Sequence, residues 1–310
     1  MRDIQVFNVN LILINQIRHI MIRILVPVDF SPHTAISCQY ALSVAKATGA
    51  EIILFHSFFD QLYFSDGGFT TGFESGIMLT DEIILDFYKQ KEAKLREIAD
   101  ELQAGMAHPD KSGVKVSCRM ESGDPEVQIM NAMGQLKPDL IIMGSGGMGK
   151  KGLLSGSVAR RIIDHTEIPV IAVPGMEDVP AIKNVVYMTT FNPADNEIIL
   201  KIDSILAPFH INILCLHLLT DDRETEARQK INLLSENPSL KELKGRITFH
   251  ILHNQHQQET LRVFMDEHKI DLIAFIPHKR NMLKNLFYQG ITKEDLFLTR
   301  IPIMAVKPIQ

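Results

Sequence analysis

Short apolar runs alternate along this chain with longer stretches whose apolar residues recur every three or four positions. The first run, Ile22–Val28 (IRILVPV), has the unbroken apolar character of a strand buried on both faces. Ser31-Pro32 follows with a hydroxyl residue at N-cap and proline at N1, so a helix is predicted from there to about Thr48, with Gly49 as its stop. A strand over Glu51–His56 leads into a long loop, Ser57–Leu79, rich in Phe, Gly and Thr. Thr80–Met106 reads as a long helix capped by Thr80, with Ile84, Leu85, Tyr88, Leu95 and Ile98 near one face. Strands are predicted at Val114–Arg119, Leu140–Met143 and Ile168–Val173, and helices after Asp124-Pro125 and over Gly156–His165. Strands alternating with helices imply parallel pairing through right-handed crossovers, and so an open, doubly wound α/β sheet of about five strands.

The pattern then returns. Lys137–Ser145 (KPDLIIMGS) is echoed by Lys269–Pro277 (KIDLIAFIP), and Ile168–Pro174 (IPVIAVP) by Ile301–Pro308 (IPIMAVKP). Arg23–Ser31 (RILVPVDFS) has a fainter echo in Asn184–Asn192 (NVVYMTTFN). Helical stretches near Ala194–Leu206, Asp221–Leu234 and Glu259–Lys269 and a strand over Arg246–Leu252 complete the second series. So long a period means two copies of a domain, not a solenoid. The expected organisation is an extension over 1–20, a first domain over 21–174, a polar Gly/Pro-marked linker over 175–182 and a second domain over 183–310. Duplicated domains can pair within one chain through the surface of a former two-fold dimer, so an intrachain pseudo-dimer is expected, with a further homodimer left open.

Bulk properties narrow the classes. The chain has 310 residues, 45% apolar and 22% charged, enough to bury a sizeable core. A net charge of −5 speaks against a nucleic-acid binder and against a polybasic membrane anchor. The partly apolar start is interrupted by Asn8, Asn10 and Asn15, so neither a membrane span nor a signal peptide is expected, and Met21 is an alternative starting point. Cys38, Cys118 and Cys215 are scattered and form no CxxC pair, which suits a reducing, cytoplasmic setting.

Candidate chemistry concentrates in Met143–Val158, MGSGGMGKKGLLSGSV, between a buried strand and a helix. A glycine-rich turn there lets backbone N–H groups approach an anion, and the helix start adds unpaired N–H groups and a favourable dipole. Gly144, Gly147, Gly156 and Ser157 make a phosphate cradle on this reading. GSGGMGK also fits the first places of a P-loop, but Lys151 stands where Ser or Thr would bind Mg²⁺.

Together these residues resemble the universal stress protein family: Pro-Val-Asp-Phe-Ser closing the first strand, Gly-Asp-Pro after the third, Met-Gly-Ser-x-Gly after the fourth, Gly-Ser-Val opening the last helix and Ile-Pro-Val before the final strand. The resemblance is strong over 21–174 and weaker over 183–310. It implies two tandem, universal-stress-protein-like domains of the adenine nucleotide α-hydrolase-like type, each with a mainly parallel five-stranded sheet. In ATP-binding members the glycines follow a fixed spacing; here Gly144, Gly147 and Gly156-Ser157 match it with one residue fewer between the last two glycines. The resemblance implies ATP, or ADP or AMP, with Mg²⁺ as a companion ion. Asp29 would sit by the ribose hydroxyls or the metal side of the phosphates, or would cap the helix that begins at Pro32. Pro27 and Val28 would line the adenine side with Phe55 and His56 nearby, Met143 would flank the base, and Gly144, Gly147, Gly156, Ser157 and Val158 would hold ribose and phosphates.

The second half lacks these groups: Thr190 stands for Asp29, Met188 for Pro27, and Ile276-Pro277-His278-Lys279-Arg280 for the glycine loop. No nucleotide is expected there, although Lys279, Arg280 and Lys284 could take another anion. His250, His253, His256 and Glu259 look like metal ligands, but His250 and His253 would face opposite sides of a strand. No grouping of Ser, His and Asp or of paired carboxylates suggests a catalytic site. Two functions from different classes remain: a nucleotide-responsive stress or signalling protein with little or no catalysis, and a weak ATPase or nucleotidyl-transfer enzyme whose acceptor pocket would involve Phe58, Phe59, Tyr63 and Phe64. A nucleotide-free interaction scaffold is the third alternative.

Overall fold

The computed structural model describes residues 23–58, 81–105, 114–145, 157–189, 191, 194–219, 224–253, 257–277 and 300–308. The chain is an α/β protein that divides into two compact units, one built on Arg23–Thr166 with Ala172–Val179, the other on Pro180 onward with Glu167–Ile171.

The first series runs β1 (Arg23–Pro27), α1 (Pro32–Thr48), β2 (Glu51–Phe58), α2 (Asp81–Ala104), β3 (Val116–Ser122), α3 (Pro125–Leu136), β4 (Leu140–Gly144), α4 (Ser157–His165) and β5 (Val170–Val173). Its strand order is β3-β2-β1-β4-β5. β1 pairs in parallel with β2 and with β4, and β2 with β3. Ile24, Leu25, Val26, Leu140, Ile141 and Ile142 are all 0% exposed, as strands covered on both faces require. Tyr40, Val44 and Ala45 of α1 and Leu95, Ala99 and Leu102 of α2 belong to the same core.

The second series repeats it: β6 (Asn184–Met188), α5 (Asp195–Ile205), β7 (Asn212–Leu219), α6 (Glu224–Ser235), β8 (Ile247–His253), α7 (Gln257–Glu267), β9 (Leu272–Phe275) and β10 (Ile303–Ala305). The order β8-β7-β6-β9-β10 is the first order again. Two short 3₁₀ segments, Ala207–Phe209 and Pro238–Leu243, are additions that the helical pattern did not announce. Among the described residues no helix is long and apolar enough to cross a membrane.

The duplication extends to individual bonds. Arg23 N–H donates to Asp139 Oδ2 at 3.0 Å, and Asn184 N–H to Asp271 Oδ2 at 2.9 Å. Just before each of these aspartates, Lys137 (φ 45°) and Lys269 (φ 48°) take the left-handed conformation. Phe30 (φ 56°) and Phe191 (φ 59°) do so just beyond β1 and β6. Left-handed backbone is unfavourable for a side-chain-bearing residue. Its recurrence at two matched places marks a route that the fold imposes on each crossover.

Several boundaries differ from the sequence pattern. β2 continues through Ser57 and Phe58, which the pattern assigned to a loop, because Ser57 pairs with Glu121 and Phe58 with Ser122. Phe58 is 8% exposed and sits among core residues, not on an open pocket wall. Of the expected face of α2, Leu95 is buried as predicted but Leu85 is 50% exposed, and Ala99 and Leu102 join Leu95 on the inward side. Ser31 stands at the N-cap of α1 but makes no side-chain cap bond. β7 is a full strand that the pattern had not singled out.

Two positions carry the local architecture. Gly123, with φ 132°, donates its N–H to Phe58 O at 2.9 Å, and an added Cβ would lie 2.6 Å from Gln128 Nε2. In the second series Asp195, 1% exposed, accepts from Tyr187 Oη at 2.7 Å and from Thr189 Oγ1. Burial and the Asp195 charge push the Tyr187 phenol well above its usual range, so it stays a donor.

Gly123→Ala is expected to lower stability by roughly 1–3 kcal/mol through backbone strain, read as a shift in urea midpoint at unchanged slope. Asp195→Ala removes the acceptor shared by two buried hydroxyls and should lose roughly 3 kcal/mol, whereas Tyr187→Phe should lose less.

Candidate functional site

A doubly wound sheet presents a crevice where the order of its crossovers reverses, outside the carboxyl ends of the strands. In the first series β2 and β3 extend to one side of β1, and β4 and β5 to the other, so the reversal lies between β1 and β4. Pro27, Val28 and Asp29 leave the carboxyl end of β1 on one side of it, and Met143, Gly144 and Ser145 end β4 on the other.

The residues differ in what they offer. Val28 and Met143 are buried, at 4% and 5% exposure, while Pro27 and Gly144 are half-buried and Asp29 is exposed. Phe55 is 2% exposed and part of the core; Val28 N–H donates to its carbonyl at 2.8 Å, which holds the end of β1 beside β2. Ser145 N–H donates to Val173 O at 2.9 Å and anchors the start of the glycine loop. Ser157 opens α4, and Val158 beside it is half-buried. Gly147 and Gly156 lie outside the described residues, as do Phe59, Tyr63, Phe64, Thr190, His256, Lys279, Arg280 and Lys284.

Asp29 braces the turn that leads into α1, where Ser31 stands at the N-cap without a side-chain cap bond. Its Oδ1 accepts from Ser31 N–H and from Thr34 Oγ1, both at 2.9 Å. Those bonds use one carboxylate oxygen. The other makes no hydrogen bond among the described residues and stands at the exposed end of β1. The turn before α1 and the candidate ligand contact therefore use separate oxygens of the same side chain.

His56 has a defined tautomer. Its Nδ1 lies 2.7 Å from Val28 O, and a carbonyl only accepts, so the proton is on Nδ1 and the Nε2 lone pair is left. Its ring packs on Phe30 at 4.4 Å between centroids. His217 repeats the bond to Thr189 O at 3.0 Å and the packing on Phe191 at 4.2 Å. Burial holds the His56 imidazole below its ordinary range, and the Lys91 charge pushes the same way, against the bond to Val28 and the Asp29 charge.

Sequence reasoning passed over Lys91 and Lys94 of α2, whose ammonium groups stand 5.2 and 5.0 Å from the centre of the Phe30 ring. Their three-residue spacing was the only signal. It also passed over the ion pair of Arg161 on α4 with Glu126 in the first turn of α3, which ties the helix behind the glycine loop to its neighbour. Asp124 Oδ1 caps α3 by accepting from Glu126 N–H at 3.0 Å and Val127 N–H at 3.1 Å, as the Asp-Pro pair predicted.

The histidines of β8 do not converge. His253 Nε2 is 3.1 Å from Glu224 Oε2, while His250 packs edge-on against His268, with ring centres 5.2 Å apart, and shares a hydrogen bond with Thr248 Oγ1 at 2.8 Å. Among the described residues no group of three or more His, Cys, Asp or Glu is placed to hold a metal. Burial, and then the neighbouring His268, lowers the affinity of His250 for a proton.

His56 and His250 thus both bind protons less readily in the folded chain than in the unfolded one, where histidine titrates near 6.5 or about that value. The unfolded state takes up more protons as the pH falls below that range, so their contribution is complete above it and is lost with acidification. Urea midpoints should decline between neutral pH and pH of about 5, and His56→Gln with His250→Gln should flatten that decline.

Comparison with known proteins places this architecture. The model of the universal stress protein family matches residues 76–174. A universal stress protein of Methanocaldococcus jannaschii is 28% identical over 154 residues, covering 49% of this chain and 81% of that protein. The crystal structure of a universal stress protein from Archaeoglobus fulgidus superposes with a TM-score of 0.66 at 19% identity, covering 92% of this chain and 96% of that one. A crystal structure described as a putative universal stress protein from Pseudomonas aeruginosa gives 0.56 at 11% identity, covering 95% of each chain. These structural likenesses reach across both series of elements and establish the fold. Residues 76–174 thus match the universal stress protein family, and both series of elements share the fold of its solved structures.

Proposed function

We propose that the first half binds one adenine nucleotide, ATP, across the carboxyl ends of β1 and β4, and that the chain acts as a nucleotide-responsive stress or signalling protein with little or no catalysis. The observation that carries this is the exposed Asp29 at the point where the crossovers reverse, with one carboxylate oxygen in the turn before α1 and the other without a donor among the described residues. A carboxylate oxygen so placed can accept from a ribose hydroxyl. Gly144 begins the glycine-rich segment on the other side of the crevice, and Ser157 starts α4 after it. Main-chain N–H groups of such a segment and the first turn of the helix suit phosphate oxygens. Mg²⁺ would travel with the phosphates. Binding acts on partners or on self-association only as far as ATP favours one state over another.

The second half, on this reading, takes no nucleotide. Its carboxylate has moved from the strand end to Asp195, where it is buried and holds the hydroxyls of Tyr187 and Thr189.

Titration calorimetry with Mg-ATP should give one site per chain. Asp29→Ala should weaken it about tenfold or more, which is about 1.4 kcal/mol. Mass spectrometry of the chain purified from cells and then denatured should release an adenine nucleotide near that stoichiometry. Protein that arrives empty and gives no heat with ATP, ADP or AMP removes the reading. Rapid phosphate release that Asp29→Ala abolishes would move the chain to the enzyme class.

A further inference from the structure

The two series end in matched strands that are finished differently. β3 is the outermost strand of the first order and β8 of the second. Among the described residues each pairs on one side only, β3 with β2 and β8 with β7. A strand so placed offers a row of unpaired N–H and C=O groups to any chain that can meet them, and proteins usually guard such a row with charge or proline. β3 is guarded, since Arg119 and Glu121 stand exposed on it. β8 is not: Ile-Thr-Phe-His-Ile-Leu-His contains no Lys, Arg, Asp, Glu or Pro.

One bond fixes the direction of the unpaired groups. Ile213 N–H of β7 donates to Arg246 O at 2.7 Å. Backbone groups alternate in direction from one strand residue to the next. Thr248, His250 and Leu252 therefore turn theirs toward β7, and Ile247, Phe249, Ile251 and His253 turn theirs outward. The same alternation puts the side chains of Ile247, Phe249, Ile251 and His253 on one face. His253 there reaches Glu224 of α6, while His250 on the opposite face packs against Phe264 and His268 of α7. Ile247, Phe249 and Ile251 stay only half-buried. The outward amides and the incompletely covered apolar side chains thus belong to the same residues.

We propose that β8 pairs antiparallel with β8 of a second copy of this chain, across a two-fold axis at Phe249. A two-fold contact requires a patch that satisfies itself, and β8 does so in this register. Phe249 meets its counterpart, and Ile247 meets the second copy's Ile251, so residues with outward groups oppose one another and amide meets carbonyl along the row. The opposed side chains are aromatic on aromatic and aliphatic on aliphatic, on one face. Thr248 comes opposite the second copy's His250, so no like charges are set together. A charged partner segment would find nothing on β8 to pair with, whereas a second β8 matches it at each place. Pairing of this kind needs no nucleotide.

The test is sedimentation of the full-length chain, free of nucleotide, over a range of micromolar concentrations. Ile251→Lys is the disrupting variant and Ser122→Lys, on exposed β3, the control. The native chain should sediment as a dimer. Ile251→Lys should weaken that dimer about tenfold or more, with its melting temperature showing that it folds, and Ser122→Lys should leave the dimer unchanged. Phe249→Cys gives a second reading, which decides alone if Ile251→Lys does not fold. Its thiol falls opposite its own counterpart, where Cα atoms of a hydrogen-bonded pair lie about 5.5 Å apart, within reach of a disulfide. Mild oxidation should join two Phe249→Cys chains covalently and should leave Thr248→Cys, which does not oppose itself, unjoined. A native chain that stays monomeric throughout overturns the proposal. So does a dimer that survives in folded Ile251→Lys, or a Phe249→Cys chain that joins no better than Thr248→Cys.

Discussion

A parallel sheet covered on both faces gives a polar side chain no route to solvent except past the end of a strand. That constraint organises this molecule. β1 and β4 are sealed along Ile24–Val26 and Leu140–Ile142, and chemistry resumes where the chain leaves them. Asp29 is the first exposed residue after β1, and the glycine-bearing segment begins with the last residue of β4. Loop residues can vary there without disturbing the packed strands, and the packed strands hold the loop ends in register.

The two halves meet this constraint differently with nearly the same parts. In the first, a hydroxyl residue in the first helical turn, Thr34, serves a carboxylate at the strand end, Asp29. In the second, the carboxylate is in the first helical turn, as Asp195, and a hydroxyl from the strand end, Thr189, serves it. Moving the acid inward changes its circumstances. Asp29 is exposed, while Asp195 is enclosed with Tyr187 and contributes to cohesion. A charge kept inside must be fully hydrogen-bonded to be tolerated, and Tyr187 and Thr189 supply two of those bonds.

The fold was legible because its signals are local and repeated. Apolar runs disclosed most of the strands, and Asp124-Pro125 and Gly49 announced a cap and a stop that the structure contains. Strand ends were less legible, since Ser57 and Phe58 owe their strand conformation to pairing with Glu121 and Ser122, a partner far along the chain. The α1 cap was assigned to Ser31 by position. Ser31 makes no cap bond there, the Thr34 amide turns onto the Ser31 carbonyl, and Asp29 holds the Ser31 amide instead, an arrangement that residue types do not show. The Tyr187–Thr189–Asp195 cluster was illegible for a related reason: its members belong to a strand end and a helix start that meet only in the folded chain.

The left-handed turn after the first strand of each series has a wider consequence. Phe30 and Phe191 share it, and each packs against a histidine that donates to a carbonyl just past the preceding strand. A feature present in both copies is explained by what both copies do, namely fold. A feature present in one is free to be explained by what that copy alone does. The duplication therefore supplies an internal control within a single polypeptide. By it, the phenylalanine and histidine belong to the scaffold, and the acid at the tip of the first strand stands out as the specialised part.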